Sequence, residues 1–569
     1  MLVSGLIFGG LGSRLAYLQL VEGSHNRELA EENRMRLVSK PPERGQVFDR
    51  HGKLLAGSHL SYSVFLWPIA LEESEWPQTL QRLSQILNIP VAQIQTNLEK
   101  EGYNSPYRVR VARGLSIPHV VALEEARSEL KGVEIDAETV RYYPNGDLAA
   151  HVLGYTGEIT DEELVDLKPK GYRLGDVLGK LGIEASMESQ LRGEWGGQQV
   201  EVDAAGEVIR ILGEKPPIPG DDVTLTLDMD LQKVAEQVLG ETKGAIVAID
   251  PYDGAVLAMA SRPAYDPNIF SSHISEEEWR KVQSKDHPFL NRALRSFAPA
   301  STYKIVTTTA ALESGDYNPG TVLSTFPYLE VGGIQFWDWN RAGFGPLGFR
   351  GAMAWSSDTF FYQVGRRLGG EVLAQWSRNY GFGQPTGIEL EGEEEAGVVP
   401  DAAWKKEYLD ETWYIGDSIN MSIGQGYVQA TPLQVAVMFA VPANGGYLVR
   451  PHLQRDSRPP ESWRKSLNLK PSTIEVLQEG LRDVVAVGTG AALRSPSLPP
   501  VAGKTGTAED QPRQSHAWFG GYAPADKPEI VVVAFAENSG GGGGKVAAPM
   551  VRSVMEQYFR TKKTPPQPQ

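Results

Sequence analysis

Gly244–Asp250 (GAIVAID) and Ala255–Ser261 (AVLAMAS) are two apolar runs joined by Pro251-Tyr252-Asp253-Gly254. Short apolar segments around a Pro/Asp/Gly connection read as a β-hairpin. Similar strand-like segments return far down the chain at Ala517–Tyr522 and at Glu529–Ala536 (EIVVVAFA), with a largely helical stretch, residues 301–480, in between. Ahead of the hairpin, Asp228 is placed to cap a helix whose apolar residues Leu231, Val234, Ala235, Val238 and Leu239 recur at helical spacing. Ala548–Phe559 reads as a closing amphipathic helix. One antiparallel sheet built from segments near both ends of this region buries all of them, with the terminal helices on one face and the helical middle on the other.

Working outward, Lys215-Pro216-Pro217-Ile218-Pro219-Gly220 is a proline-rich breaker, so residues 221–560 are expected to form one domain and residues 22–220 another. The earlier region is punctuated by Gly and Arg and carries a mixed α+β insert, at about 58–140, with helical stretches at Trp76–Leu87 and Ile117–Leu130. Met1–Ser13 is uncharged. A span of the hydrocarbon layer needs about 20 apolar residues, whereas thirteen reach only about 20 Å, so residues 1–21 read as a membrane anchor that is incomplete as it stands. A signal peptide is the rival reading, without a basic n-region or a small-x-small cleavage site, and a buried helix is the third. Gly540–Gly544 is expected to be a flexible loop and Thr561–Gln569 a disordered tail.

The chain has 569 residues, 41% hydrophobic and 22% charged, which is the balance of a globular multidomain protein. Its net charge of −16 repels polyanions and argues against nucleic acid as a partner. With no cysteine, disulfides, thiol catalysis and cysteine-ligated zinc are excluded.

Acyl transfer by a serine needs a base, a proton relay and oxyanion donors. Ser-x-x-Lys puts a hydroxyl and an amine one helical turn apart and occurs at Ser128/Lys131, Ser301/Lys304 and Ser462/Lys465. Only Ser301 opens an apolar segment, Ile305–Leu312, ending at Gly315, which places it at the N-terminus of a buried helix, where unpaired N–H groups favour an oxyanion. Taken alone, Ser301 reads first as an N-cap. Ser356-Ser357-Asp358 follows as Ser-x-Asp, a spacing also met at Ser284/Asp286 and, as Ser-x-Asn, at Ser418/Asn420. Gly503-Lys504-Thr505-Gly506-Thr507 holds the single Lys-Thr-Gly of the chain, on a strand that offers a cation and two hydroxyls to a carboxylate and a glycine where a substrate backbone can approach.

In this order, Ser-x-x-Lys, Ser-x-Asp and Lys-Thr-Gly resemble the signature of penicillin-binding proteins and serine β-lactamases. Arg44–Arg50, Arg141-Tyr142-Tyr143-Pro144, His151–Gly154, Gly179–Gly193, Ser422–Gly426 and Thr431–Gln434 extend the resemblance to class B penicillin-binding proteins over nearly the whole chain. Asp338-Trp339, Phe360-Phe361-Tyr362 and Trp413–Asp417 are most similar to the elongation-specific members, the penicillin-binding protein 2 group. Ala298-Pro299-Ala300 departs from the family's Pro-Pro-Gly before the serine.

The resemblance implies an anchored α+β pedestal followed by an α/β transpeptidase domain outside the cytoplasmic membrane. Ser301 would attack the D-Ala-D-Ala carbonyl of a stem peptide, with Lys304 as base. Ser356 and Asp358 would relay the proton and hold Lys304, and Lys504, Thr505, Gly506 and Thr507 would bind the terminal carboxylate. The backbone N–H groups of Ser301 and Thr507 would receive the oxyanion. A lysine active as a base near neutrality must be depressed by about three pH units, roughly 4 kcal/mol, which burial and the Lys504 charge would supply to Lys304. β-Lactams would acylate the same serine. Implied partners are a RodA-type SEDS glycosyltransferase and rod-complex scaffold proteins. Some relatives hold zinc, but Phe344–Gly348 contains no histidine beside Asp338, so neither a metal nor a cofactor is expected. A septal transpeptidase and a non-catalytic β-lactam sensor or scaffold remain alternatives. A β-lactamase is disfavoured by the missing Glu-x-x-Leu-Asn and by the large preceding region.

Overall fold

The structure is a computed structural model, and it describes residues 2–17, 35–103, 105, 108–172, 176–202, 208–271, 274, 276–455 and 464–563. The chain divides into two compact units, Met1–Gln46 with Glu188–Asp222, and Val47–Met187 with Val223–Gln569.

The first unit holds a helix, Leu2–Ala16, and an antiparallel sheet in which Gly196–Val202 lies between Met35–Lys40 and Val208–Lys215. Arg44 and Glu188, far apart in sequence, pair at 2.7 Å. No helix among the described residues is long and apolar enough to cross a membrane, and residues 18–21 of the expected anchor lie outside the described residues.

The second unit contains both the insert and the sheet-bearing domain. In the insert the long strand Leu54–Leu66 pairs with Val109–Leu115 and Val133–Tyr142, and helices Trp76–Leu87 and Val91–Glu101 cover it through Trp76, Leu80, Leu83, Ile94 and Leu98. The expected helix from Ile117 stops at Glu125. The Arg141 and Tyr143 side chains meet buried Glu184, the guanidinium at 2.6 Å and the phenol at 3.2 Å.

The main sheet has five strands, β1 (Gly244–Ile249), β2 (Val256–Arg262), β3 (Ala502–Ala508), β4 (His516–Ala523) and β5 (Ile530–Ala536), in the order β2-β1-β5-β4-β3, and every pair is antiparallel. The hairpin turn holds because Gly254 takes φ +82°, a left-handed value that glycine adopts without steric cost. Distant segments do meet, with Gly244 opposite Ala536.

Helix α1 (Met229–Leu239) is capped as expected, the Asp228 carboxylate accepting from the N–H groups of Asp230 and Leu231 at 3.0 and 3.1 Å. Helices α2 (Lys304–Ser314), α3 (Asp358–Asn379), α4 (Pro432–Ala443) and α5 (Pro471–Ala486) make up much of the middle, and α6 (Ala547–Lys563) closes the chain. Helices α1 and α6 share one core with the sheet, through Leu231, Ala235, Val551, Val554, Ile246 and Val532. Burying each of these Leu, Ile and Val side chains contributes about 1.5–3 kcal/mol. On the opposite face Phe439 of α4 sits where a Cβ on Gly520 would come within 2.1 Å, so β4 needs glycine there.

Helix α6 continues through Thr561 to Lys563, three residues into the expected tail, whose residues 564–569 lie outside the described residues. The glycine run is also not slack. A Cβ on Gly543 would lie 2.1 Å from the Trp518 carbonyl oxygen and 2.5 Å from that of Gly506, so the loop lies directly against β3 and β4.

Candidate active site

Ser301 is half-buried in a 3-10 turn, Ala300–Tyr303, that runs straight into α2. The turn begins at Ala300 with φ +48°, where a methyl group costs about 1–2 kcal/mol. A second layer holds it there, because the Ala300 N–H donates to the Gly424 carbonyl at 2.8 Å. Gly424, itself at φ +71°, lies so close that a Cβ on it would come within 2.2 Å of the Ala300 oxygen. This position is where the sequence departs from the family's glycine, and the alanine sits in the left-handed region that glycine adopts without steric cost.

Lys304, one turn after Ser301, is fully buried. Its ammonium donates to Asp358 Oδ1 at 2.7 Å, the Ser356 carbonyl at 2.9 Å and Ser356 Oγ at 3.2 Å. Ser356 also has a left-handed backbone, φ +55°, which turns its carbonyl and hydroxyl toward the same amine. Strained backbone of this kind persists where surrounding contacts over-determine it. Those contacts include buried Asp338, whose Oδ2 accepts from Ser357 Oγ, Thr359 N and Thr359 Oγ1, each at 2.9 Å. The cap of α3 is thereby fixed, and Asp338 has a role that requires no metal.

Lys504 enters from β3, also fully buried, and donates to Ser356 Oγ at 2.8 Å and to the Thr505 carbonyl at 3.0 Å. One hydroxyl therefore bridges two amines. Burial, reinforced by the Lys304 charge and opposed by Asp358, holds Lys504 well below the usual lysine range. Lys304 itself faces the Asp358 carboxylate.

Strand β3 lies against the serine turn, since a Cβ on Gly506 would come to 3.3 Å from both the Pro299 oxygen and Thr302 Cγ2. Thr505 and Thr507, two apart on the strand, share the face opposite Lys504. Thr505 Oγ1 meets Thr489 Oγ1 at 2.7 Å, and Thr507 Oγ1 accepts from Gly543 N at 3.3 Å. Among the described residues the Ser301 hydroxyl makes no hydrogen bond.

Ser301, Lys304, Ser356, Asp358 and the Lys504–Thr507 strand are therefore gathered in one cleft, as the motif order implied. The competing matches lie elsewhere. Ser128/Lys131 belongs to the insert, Ser418 accepts from the Trp413 indole at 2.9 Å, and Ser462 lies outside the described residues. Sequence reasoning missed Thr489, although Gly488-Thr489-Gly490 carries a turn signal, and it missed the capping task of Asp338.

Residues 244–556 match the family described as penicillin binding protein transpeptidase domain, and residues 39–225 the penicillin-binding protein dimerisation domain. The peptidoglycan D,D-transpeptidase MrdA of Acinetobacter baumannii is 35% identical over 98% of this chain and 86% of its own length. The Helicobacter pylori penicillin-binding protein PBP2, solved in complex with MreC, superimposes with a TM-score of 0.84 at 29% identity, over 93% of this chain and 100% of that one. A chain of a peptidoglycan synthase complex, solved for its coordination of polymerization and crosslinking, gives 0.73 at 34% identity over 98% and 97%. A buried Ser/Lys/Lys cleft, matches to both domains and relatives of nearly equal length agree: the chain belongs to the penicillin-binding protein transpeptidase family.

Proposed function

We propose that the chain is the peptidoglycan D,D-transpeptidase of cell elongation, working outside the cytoplasmic membrane on a single N-terminal anchor. It cross-links stem peptides through an acyl group on Ser301. The observation that carries this reading is the Ser356 hydroxyl shared by two buried amines, at 3.2 Å from Lys304 and 2.8 Å from Lys504, next to the serine turn.

The bridge gives the proton a path. Burial and the Lys304 charge favour the state in which Lys504 carries no proton, and in that state the two amines hold one charge between them. Lys304 can pass a proton to Ser356 as Ser356 passes its own to Lys504, which leaves Lys304 neutral and able to accept the Ser301 proton. Ser301 Oγ then bonds to the penultimate D-alanine carbonyl, and the oxyanion meets the N–H groups of Ser301 and Thr507. Such a donor is worth about 3–4 kcal/mol in the transition state. The bond to the terminal D-alanine nitrogen breaks, and that nitrogen takes a proton from Ser356, which Lys504 replaces. An amine of a second stem peptide repeats the sequence in reverse and releases the cross-linked product. Thr505 and Thr507 hold the leaving residue's carboxylate, with Gly506 admitting the peptide backbone.

The MrdA relatives favour elongation over septation. The MreC complex and the synthase complex of the structural neighbours support a scaffold protein and a glycosyltransferase as partners here too. Intact-mass analysis after incubation with benzylpenicillin tests the reading. A stable adduct on the wild type and none on Ser301→Ala is expected. Rapid turnover would identify a β-lactamase, and no adduct on the wild type would leave a scaffold.

A further inference from the structure

Thr489 stands outside every motif, yet it touches two walls of the cleft. It occupies the turn Gly488-Thr489-Gly490 that follows α5. Its N–H donates to the Ala354 carbonyl at 3.2 Å, two residues before Ser356, and its hydroxyl lies 2.7 Å from that of Thr505. The turn is packed tightly on both flanks, and at Gly488 only glycine fits. A Cβ on Gly488 would come within 2.0 Å of the Ala354 oxygen, and one on Gly490 within 3.1 Å of Val484 Cγ1. The glycine loop presses from the far side, where a Cβ on Gly544 would lie 2.6 Å from the Thr489 carbonyl.

The hydroxyl pair has a direction. Thr507 accepts from Gly543 N at 3.3 Å, so its own hydrogen is free to point into the cleft. Among the described residues the Thr489 hydroxyl has no partner except Thr505. When Thr489 donates to Thr505, the Thr505 hydrogen also points into the cleft, and the strand offers two parallel O–H donors to one carboxylate.

We propose that Thr489 is a positioning residue that sets the Thr505 hydroxyl as a donor to the substrate's terminal carboxylate. This rests on the reading of the cleft given above. It predicts an effect confined to ligands that carry the carboxylate, which a merely structural role would not produce. Thr489→Val keeps the shape and removes the hydroxyl, while Thr489→Ser keeps the hydroxyl.

The test measures acylation by benzylpenicillin and by its methyl ester. With the free acid, Thr489→Val should weaken the reversible binding step about fivefold, the worth of one ordinary hydrogen bond, and leave the acylation rate constant unchanged. With the ester it should match the wild type, and Thr489→Ser should restore the acid. In a Thr505→Val background the second substitution should add nothing. Equal losses for acid and ester, an unchanged Thr489→Val, or additive losses in the double variant would each overturn the proposal while leaving the transpeptidase reading intact. No acylation of the wild type by either compound would overturn both.

Discussion

Replacing Lys504 with methionine should change how stability responds to pH. The amine is fully buried and touches no carboxylate, its two hydrogen bonds going to the Ser356 hydroxyl and the Thr505 carbonyl, and its like-charged neighbour is Lys304, with Asp358 opposing through space. Burial and that neighbour disfavour the ammonium in the folded protein only. The cost is therefore fully present below the folded pKa and fades as pH rises from there toward the free-lysine value of about 10.4. Across that interval the unfolded chain binds one proton more than the folded one, and stability climbs by up to about 1.4 kcal/mol per pH unit. Methionine has similar length and no charge, so this slope disappears, while groups remote from Lys504 titrate alike in both proteins. As pH approaches the free-lysine value from below, the wild type should gain on Lys504→Met by up to about 1.4 kcal/mol per pH unit. Denaturant unfolding followed by tryptophan emission reads the difference, with Trp518 buried opposite Gly506 on the neighbouring strand. A difference that stays flat across the interval refutes the depression and the proton path built on it.

Asp338→Ala leaves Ser357 Oγ, Thr359 N and Thr359 Oγ1 without the shared acceptor, and should cost about 3 kcal/mol in thermal unfolding and slow penicillin acylation with it. Ala300→Gly relieves about 1–2 kcal/mol of left-handed strain against about 0.5–1 kcal/mol of added chain entropy, so it should keep the adduct and raise stability by no more than about 1.5 kcal/mol. Ala300→Val, β-branched at φ +48°, should abolish the adduct in the same mass assay. Gly543→Ala meets the Trp518 and Gly506 carbonyls and must lift the loop from Thr507, so acylation by benzylpenicillin should fall at least about tenfold while Gly540→Ala, against the mobile end of Gln514, should fall less.

What could be read from the residues was what local chemistry decides. Pro251–Gly254 between two apolar runs is a complete instruction for a hairpin, and Asp228 before a helical stripe is one for a cap. The three motifs were legible because few residue types can perform acyl transfer and they came in order. Contacts made at long range were not legible. Nothing near Asp338 shows that it will cap α3 from nineteen positions away. Nor does serine carry any sign of the left-handed turn at Ser356 that brings its carbonyl and hydroxyl to Lys304. The run Gly540–Gly544 has the composition of a slack linker and also of a close approach. Only the carbonyls of β3 and β4 settle which.

The pairing of Gly244 with Ala536 bears on when this protein becomes chemically competent. Strand β3 is held at the sheet's edge only through β4, and β4 joins β1 only through β5. A ribosome that has delivered the nucleophile has therefore delivered half a catalyst, and the second amine finds its seat only when nearly the last strand has been made. Loop closure over such a distance is slow and late. Polypeptides that end before β3 carry Ser301 and Lys304 but lack the second amine of the relay, so titration with a covalent inhibitor should leave them uncounted.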